Sequence, residues 1–340
     1  MIPENEVIPL KKWFAAVLLA ALVLTGCGPK QPEAHEAQLF AMDTLMSLRI
    51  WGDEALVTQT EDTLRSLEAL LSATAEDSDI ARLNRDGTAE LQPQTADLLQ
   101  QALDCAARTG GAFDPTVYPL VCLWGFPSGK YHIPTEAELT GALAHTGVQH
   151  LQLDGAAAAL DAGCSVDLGG IAKGYAAEQL RKLFTEAGVR SAILSLGGNI
   201  AAVGTKPDGS DWQVGLQDPE NPDTYFGILS VRDACVVTSG GYQRYFEQDG
   251  VRYHHILDPK TGCPAESGLL SVSVVSEDDT LADALSTALF VMGFDEGQAL
   301  WRSGTLPFEA VWMLQDGSVY LTPGLSGSYR SERAFQVIAS

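Results

Sequence analysis

The segment from residue 165 to residue 175 restricts the fold of this chain most, because it joins two kinds of secondary structure through adjacent glycines. Its sequence is Ser-Val-Asp-Leu-Gly-Gly-Ile-Ala-Lys-Gly-Tyr. The apolar pattern predicts a short strand that ends at Val166 and a helix at 175–184. Gly169-Gly170 forms the turn between them, and glycine lets a backbone approach a ligand closely.

This turn is a candidate anion site. The N-terminus of a helix favours negative charge, and Lys173 adds a point charge suited to phosphate. Asp167 would repel a phosphate as a bare carboxylate, so its position indicates that it hydrogen-bonds a nucleoside or lies near a metal. A plain strand-to-helix turn is the alternative, and the spacing alone leaves both interpretations open.

The remaining helix and strand patterns follow no regular alternation. Apolar residues at helical spacing predict helices at 54–72, 95–109, 134–144 and 282–292, with Thr95 as the N-cap of the second. Apolar runs predict strands at 39–51, 192–196, 212–216, 227–231, 234–238, 269–275, 310–314 and 318–321, and Asp249-Gly250 predicts a hairpin turn. Helices and strands mixed without βαβ alternation indicate an α+β fold rather than a doubly wound sheet.

The N-terminus has the pattern of an export signal. Lys11 and Lys12 precede an apolar run of 12 residues at 13–24, which is shorter than the roughly 20 residues needed to span a bilayer and fits a signal-peptide core. The Leu-Thr-Gly-Cys sequence that ends at Cys27 resembles a bacterial lipobox. Cleavage before Cys27 would leave a thiol and an amine for acylation, and two chains suffice for stable anchoring. A plain signal peptide with a chance cysteine is the alternative.

These features divide the chain into three parts. We expect a lipoprotein signal peptide at 1–26, a lipid-anchored tether at 27–37 and one catalytic domain at 38–340. The tether is polar and contains two prolines. The predicted location is outside the cytoplasm, on the outer face of the bacterial cell membrane or the periplasmic face of the inner membrane.

The net charge argues against nucleic-acid binding, and the cysteine pattern predicts buried thiols. The formal net charge is −23, and an acidic chain lacks the basic face that nucleic-acid binding requires. The cysteines beyond Cys27 are odd in number and contain no C-x-x-C pair. Their neighbours are mostly apolar or small, which predicts buried thiols, although export would permit a disulfide. These cysteines are Cys105, Cys122, Cys164, Cys235 and Cys263.

Two oxygen-bearing residues on the last predicted helix form a candidate metal site. Asp283 and Thr287 are four positions apart and share one helix face. A carboxylate and a hydroxyl are hard ligands for Mg²⁺, which completes its shell with phosphate and water, and a carbonyl of Gly169-Gly170 would supply a third. Alternatively, Asp283 only interacts favourably with the helix dipole near the N-terminus of the helix, and Thr287 lies on a solvated face.

His255 is the strongest acid–base candidate, because histidine titrates near neutral pH. It ends a predicted strand, where His254 points to the opposite face. The sequence has no HExxH zinc pattern, no G-x-S-x-G element and no P-loop. Because the protein offers no obvious nucleophile, something bound would have to attack a phosphate substrate. The Gly-Gly-Ala-Phe-Asp-Pro run at 110–115 is either a cradle for a flat ligand or a helix stop.

Six segments in this order resemble the ApbE family, the FAD:protein FMN transferases. They span roughly residues 38–322 and are specific as a set. The segments are Met42-Asp43-Thr44, Gly111-Ala112-Phe113-Asp114-Pro115-Thr116, Asp167 to Tyr175, Leu196-Gly197-Gly198-Asn199, His255 to Gly262, and Ala282-Asp283-Ala284-Leu285-Ser286-Thr287-Ala288.

The resemblance implies a T-fold-like α+β domain, with mixed or antiparallel sheets and flanking helices, that binds FAD and Mg²⁺. By matching positions, the FAD site would be lined by Met42, Ala112, Phe113, Asp114, Asp167, Lys173 and Ile256. The Mg²⁺ ligands would be the Gly170 carbonyl, Asp283 and Thr287. Two departures from the family pattern stand out: Asp43 replaces a usual glycine, and the loop at Thr74 lacks an aromatic residue that often stacks on the ligand.

The resemblance also implies a reaction. A threonine or serine hydroxyl of an exported or membrane-attached redox protein, within a D-x-x-[ST]-G-A-[ST] segment, would attack the FMN phosphorus of FAD and release AMP. His255 would be the base, or would orient the acceptor, and Lys173 would assist or hold the nucleotide. The alternatives are an FAD pyrophosphatase that yields FMN and AMP, and a flavin-binding lipoprotein without catalysis.

Overall fold

A nine-stranded sheet runs through the centre of the computed structural model, which describes residues 33–339. The helices are α1 Ala55–Leu71, α2 Asp79–Asp86, α3 Pro93–Arg108, α4 Tyr118–Leu123, α5 Glu136–Leu143, α6 Ala172–Glu186 and α7 Asp279–Ser303, with short 3-10 turns at Val148–His150 and Pro323–Leu325. The strands are β1 Ala34–Ala41, β2 Thr44–Trp51, β3 Thr88–Glu90, β4 Leu151–Asp154, β5 Ala157–Leu160, β6 Ser191–Leu196, β7 Asn199–Gly204, β8 Trp212–Gln217, β9 Tyr225–Val231, β10 Cys235–Gly240, β11 Tyr245–Gln248, β12 Val251–His254, β13 Leu269–Ser276, β14 Glu309–Leu314, β15 Val319–Leu321, β16 Tyr329–Arg330 and β17 Phe335–Val337.

The central sheet has the order β1-β2-β6-β7-β10-β13-β14-β15-β17. Its neighbours pair antiparallel except β15 and β17, which are parallel. Three small sheets accompany it, with the orders β16-β9-β8, β3-β5-β4 and β11-β12. The predicted α+β class is therefore confirmed.

The two faces of the central sheet carry different layers, because alternate residues of each strand point to opposite faces. On β7, Ala201 and Val203 pack with α1 and α6, while Ala202 packs against β8 and β9. On β10, Val237 faces the core that α7 covers, and Val236 faces the small sheet. Helices α6 and α7 thus lie on one face, and the candidate site is built between them.

The predicted strand at 39–51 is wrong as a single element. It is a hairpin in which Ala41 pairs with Thr44 across a two-residue turn. Met42 and Asp43 both have positive φ, 48° and 58°, which is the requirement of a tight type I′ turn. The sequence pattern does not indicate this turn, because Asp43 stands where a glycine would have marked the positive φ.

Three other local predictions are corrected. The strand predicted to end at Val166 does not pair in a sheet, although the helix behind it begins three residues earlier than predicted, at Ala172. Helix α3 begins at Pro93, a residue suited to the first helical turn, so Thr95 lies inside the helix and Gln92 is the cap residue. Helix α7 extends past the predicted stop through a non-helical residue, Gly293.

One turn prediction is confirmed, and the prediction of buried cysteines is correct for three of five. The hairpin at Asp249-Gly250 joins β11 to β12. Of the five cysteines beyond Cys27, all unpaired, Cys105, Cys164 and Cys235 are buried as expected, whereas Cys122 is exposed and Cys263 is partly buried.

The first strand begins at Ala34, so residues 34–37, predicted as tether, belong to β1. The signal peptide predicted at 1–26 and the lipidated Cys27 lie outside the described residues. Within 33–339, no helix is long and apolar enough to cross a membrane.

Candidate active site

The site is built where helix α6 meets helix α7. The two helices approach so closely that a Cβ on Gly174 would lie 2.3 Å from the Asp279 carbonyl oxygen and 2.7 Å from the Asp283 Cβ. The Gly174 N–H donates to Asp283 Oδ2 at 2.8 Å. Only glycine permits this spacing, and it brings the start of α6 against the first turns of α7.

The three predicted metal ligands come together at this contact. A Cβ on Gly170 would lie 3.7 Å from Thr287 Oγ1. Asp283 is one helical turn before Thr287 and is buried, with its Oδ1 atom 3.8 Å from the Lys173 ammonium. Carboxylate, hydroxyl and backbone carbonyl oxygens are the hard donors that Mg²⁺ accepts, and the donor set fits this ion. The described residues contain no cluster of three or more His, Cys, Asp or Glu side chains that could hold a metal.

Lys173 lies between the turn and the carboxylate. Its ammonium donates to the Gly169 carbonyl at 3.1 Å and faces Asp283. The side chain is 23% exposed, so its charge remains accessible from the site. A lysine in this position supplies positive charge at the N-terminus of α6, where backbone N–H groups already favour an anion.

The extended segment before α6 is held by side-chain and loop contacts rather than by a sheet. The Asn84 side chain donates to the Val166 carbonyl at 2.8 Å and accepts from the Val166 N–H at 2.7 Å. The Asp167 N–H donates to the Pro115 carbonyl at 2.8 Å. These bonds fix Asp167, which is partly buried, at the mouth of the glycine turn.

Asp167 has an unusual electrostatic environment for a carboxylate. Desolvation raises its pKa, while the N–H of Gly169 and the positive charges of Lys173 and Arg244 oppose that change. Asp167 therefore interacts electrostatically with two cations from different parts of the chain.

The Ala112-Phe113-Asp114 segment lies beside the same turn. A Cβ on Gly170 would lie 3.2 Å from Phe113 Cε2, and Ala112 and Phe113 are buried. The Asp114 carboxylate is used within its own loop, where Oδ1 accepts from the Thr116 N–H at 2.7 Å and the Thr116 hydroxyl at 2.6 Å. Burial raises the pKa of Asp114, and the bonds from Thr116 oppose it.

Met42 occupies the strained β1–β2 turn. A positive φ costs a non-glycine residue roughly 1–2 kcal/mol, and its N–H donates to the Glu68 carboxylate at 2.8 Å. The neighbouring β6–β7 turn fits closely, because a Cβ on Gly197 would lie 2.6 Å from Thr44 Cγ2. Backbone strain is retained where the surroundings enforce it, and here the two-residue turn and the bond to Glu68 do so; a ligand contact by Met42 stays a prediction.

His255 follows β12 and is oriented by the backbone of Arg244. The Arg244 carbonyl accepts from the His255 N–H at 3.1 Å and lies 3.0 Å from His255 Nδ1. Because a carbonyl only accepts, Nδ1 carries the proton and Nε2 is free to accept one. Burial lowers the pKa of His255 to about 4, and the charges of Arg244, Lys173 and His254 act in the same direction.

The other two residues of this strand end are not free to act as side chains in the site. His254 Nε2 lies 3.2 Å from the Ala265 carbonyl, and burial lowers the pKa of His254. The Ile256 side chain is buried in the core beneath α7, so any ligand contact by Ile256 involves its backbone.

Arg244 is the charged residue of this region that the sequence interpretation missed, although a usable signal was present. The Asp249-Gly250 turn fixes the register of the hairpin, in which Tyr245 pairs with His254. Extending that pairing by one residue places Arg244 opposite His255.

This chain is similar in sequence to known flavin transferases along most of its length. The sequence model of the ApbE family matches residues 42–312. An FAD:protein FMN transferase of Treponema pallidum is 35% identical over 345 residues, covering 92% of this chain and 94% of that protein. One from Vibrio cholerae is 32% identical and covers 91% of this chain and 96% of its own length.

Solved structures show the same similarity. The crystal structure of the ApbE protein from Thermotoga maritima matches with a TM-score of 0.82 at 32% identity, covering 88% of this chain and 100% of that chain. The apo form of the Pseudomonas stutzeri flavinyl transferase ApbE matches with a TM-score of 0.76 at 32% identity, covering 86% and 94%.

Proposed function

The chain belongs to the ApbE family, and we propose that it transfers FMN from FAD to a threonine or serine hydroxyl of another protein. The observation that carries the proposal is the meeting of Gly170, Lys173, Asp283 and Thr287 at one helix contact. The charge of Lys173 also lowers the pKa of His255, which supports a base near this group. In this proposal the turn binds the anionic substrate, the oxygen atoms of Asp283, Thr287 and Gly170 are the metal ligands, and His255 is the base.

The proposed reaction is a substitution at the FMN phosphorus. The acceptor oxygen forms a bond to that phosphorus, the bond to the bridging oxygen breaks, and AMP leaves with that oxygen. His255 Nε2 takes the hydroxyl proton, because Nδ1 is already committed to the Arg244 carbonyl. The low pKa of His255 keeps the imidazole neutral at pH 7, and a neutral imidazole is the form that accepts a proton.

Asp283, Thr287 and the Gly170 carbonyl would hold Mg²⁺, which supplies charge neutralisation on the diphosphate of FAD. Asp283 Oδ2 is fixed by the Gly174 N–H, so Oδ1 is the oxygen presented toward Lys173 and the site. The N-terminus of α6 and Lys173 orient the anionic substrate against these oxygens.

The acceptor and the location complete the proposal. The acceptor is an exported or membrane-attached redox protein with a D-x-x-[ST]-G-A-[ST] segment, as the family resemblance implies. The lipobox-like sequence at Cys27 supports a lipoprotein anchored to the bacterial membrane outside the cytoplasm. The chain itself contains no such acceptor segment, which supports its assignment as the donor enzyme.

The test uses the purified mature chain with FAD, Mg²⁺ and an acceptor protein that carries the segment. We expect flavin fluorescence on the denatured acceptor and an equal amount of AMP, both dependent on Mg²⁺. FMN and AMP without acceptor labelling would instead show an FAD pyrophosphatase, and flavin binding without products would show a binding lipoprotein.

Variants assign the metal role. Asp283→Asn keeps an oxygen for the Gly174 N–H but removes the charge, and we expect transfer to be lost. Asp295→Asn removes an exposed carboxylate from the same helix and should leave transfer unchanged. Full activity of the Asp283→Asn protein would refute the proposed metal site.

A further inference from the structure

The base of the β11–β12 hairpin joins the proposed catalytic base to an arginine. Arg244 directly precedes β11 and His255 directly follows β12. Both hydrogen-bond contacts between them use the Arg244 backbone carbonyl. The Arg244 guanidinium therefore does not orient His255 and is available for another role.

The guanidinium lies beside Phe126. Its Nη2 atom donates to the Phe126 carbonyl at 2.7 Å, and its central carbon is 5.9 Å from the centroid of the Phe126 ring. The His255 ring lies 6.3 Å from the same ring in an edge-on arrangement. The arginine and the histidine thus share one aromatic neighbour.

The charge of Arg244 acts on the same groups as that of Lys173. Both cations oppose the rise in the pKa of Asp167, and both lower the pKa of His255. Lys173 comes from the first turn of α6, whereas Arg244 comes from the hairpin. Two cations on separate elements therefore act electrostatically on the same carboxylate and the same imidazole.

The two cations differ in how much of their hydrogen-bonding capacity the protein already uses. Lys173 donates to the Gly169 carbonyl and faces Asp283. Arg244 has five N–H donors in a fixed fork, one of which contacts Phe126, and the residue is exposed. A planar fork with free donors suits bidentate binding of a phosphate.

We propose that the Arg244 guanidinium binds the phosphate groups of FAD on the His255 side of the site, opposite Lys173. This inference rests on the proposed function and adds a substrate-binding residue to it. Arg244 would hold the phosphorus beside the imidazole, while its own carbonyl keeps Nε2 available.

The test separates phosphate binding from flavin binding by using ADP and riboflavin as separate probes. Each is titrated with Mg²⁺ into the full mature chain by calorimetry. For Arg244→Gln we expect ADP and FAD to bind at least about tenfold more weakly, in line with loss of a charge-assisted hydrogen bond, and riboflavin to bind unchanged. Arg244→Lys should keep part of the affinity because it keeps the charge.

Arg252→Gln is the matched control. Arg252 lies on the same hairpin, contacts Glu247 at 3.3 Å and stacks over Tyr245, away from His255. If Arg244→Gln and Arg252→Gln bind ADP equally well, the inference is wrong. An equal loss of riboflavin and ADP affinity would also overturn it, in favour of a stacking role.

A nitrogen NMR titration of His255 gives a readout that needs no turnover. Removing the Arg244 charge should raise the pKa of His255 above its wild-type value, while Arg252→Gln should not. Because ADP binding and the titration require no transfer, they test Arg244 even if the chain proves inactive with every acceptor. If Arg244→Gln fails to fold, Arg244→Lys is tested instead, and an ADP affinity equal to that of the wild type would refute the proposal, because lysine lacks the planar fork.

Discussion

Gly174 should control both the stability and the activity of this protein, and Gly174→Ala tests this directly. The added Cβ would lie 2.3 Å from the Asp279 carbonyl oxygen, whereas a comfortable carbon–oxygen contact is about 3.3–3.6 Å. The two helices must therefore separate by about 1 Å at this point, as the difference between those contact distances requires.

The stability cost follows from that displacement. Overpacking costs typically about 1–3 kcal/mol, and the better helix propensity of alanine returns up to about 1 kcal/mol. In domains of 150–250 residues, 1 kcal/mol shifts Tm by about 2–4 °C. We expect a Tm lower by a few degrees, measured by circular dichroism. The matched control is Gly141→Ala in α5, where a Cβ meets nothing within 4 Å and should be neutral or stabilising.

Gly174→Ala should reduce the transfer rate more strongly than it reduces the stability of the fold. Separation of α6 from α7 moves Gly170 and Lys173 away from Asp283 and lengthens the Gly174 N–H bond to that carboxylate, now 2.8 Å. A misplacement of about 1 Å can reduce a rate by about 10²-fold. We expect the transfer rate at saturating FAD to fall by this order at a temperature where the variant is fully folded. A Gly174→Ala protein with wild-type Tm and wild-type rate would refute the close helix contact and the site built on it.

Three further outcomes are expected. Thr287→Val should raise the Mg²⁺ concentration needed for half-maximal transfer while Thr287→Ser restores it, because only the hydroxyl is a ligand; equal requirements in both variants would exclude that role. Since the pKa of His255 is lowered to about 4, the neutral base persists far below the ordinary value of 6.5, and kcat/KM should fall only as pH drops toward 4; a break near 6.5 would contradict this assignment. Gly197→Ala should lower Tm more than Gly155→Ala, because both have φ near 60° but only the first places a Cβ 2.6 Å from Thr44.

Local patterns predicted the elements that carry the site better than they predicted its surroundings. Helical spacing correctly placed Asp283 and Thr287 on one helix, and the Asp249-Gly250 pair correctly placed a hairpin before His255. Both signals depend on residues close in sequence. The β1–β2 turn was missed because Met42 and Asp43 interrupt an apolar alternation without any glycine to mark the positive φ.

Long-range contacts account for most of what the sequence did not indicate. The extended segment at Val166 looks like a strand, but Asn84 satisfies its backbone from 82 positions away. A side-chain amide offers the same donor and acceptor as a neighbouring strand, so the segment needs no sheet. Arg244 is a different case, because the Asp249-Gly250 turn and the hairpin register would have placed it opposite His255.

The proposed metal site has a consequence for how its ligands bind. Its one carboxylate comes from Asp283, and the described residues offer no acidic cluster to strengthen it. Lys173, 3.8 Å from that carboxylate, further opposes a lone cation. A divalent ion held by so few protein oxygens depends on substrate phosphates to complete its shell, so Mg²⁺ and FAD should each increase the affinity for the other by the same factor. On this proposal FAD would complete the metal site, and the protein would contribute mainly the helix contact that Gly174 permits.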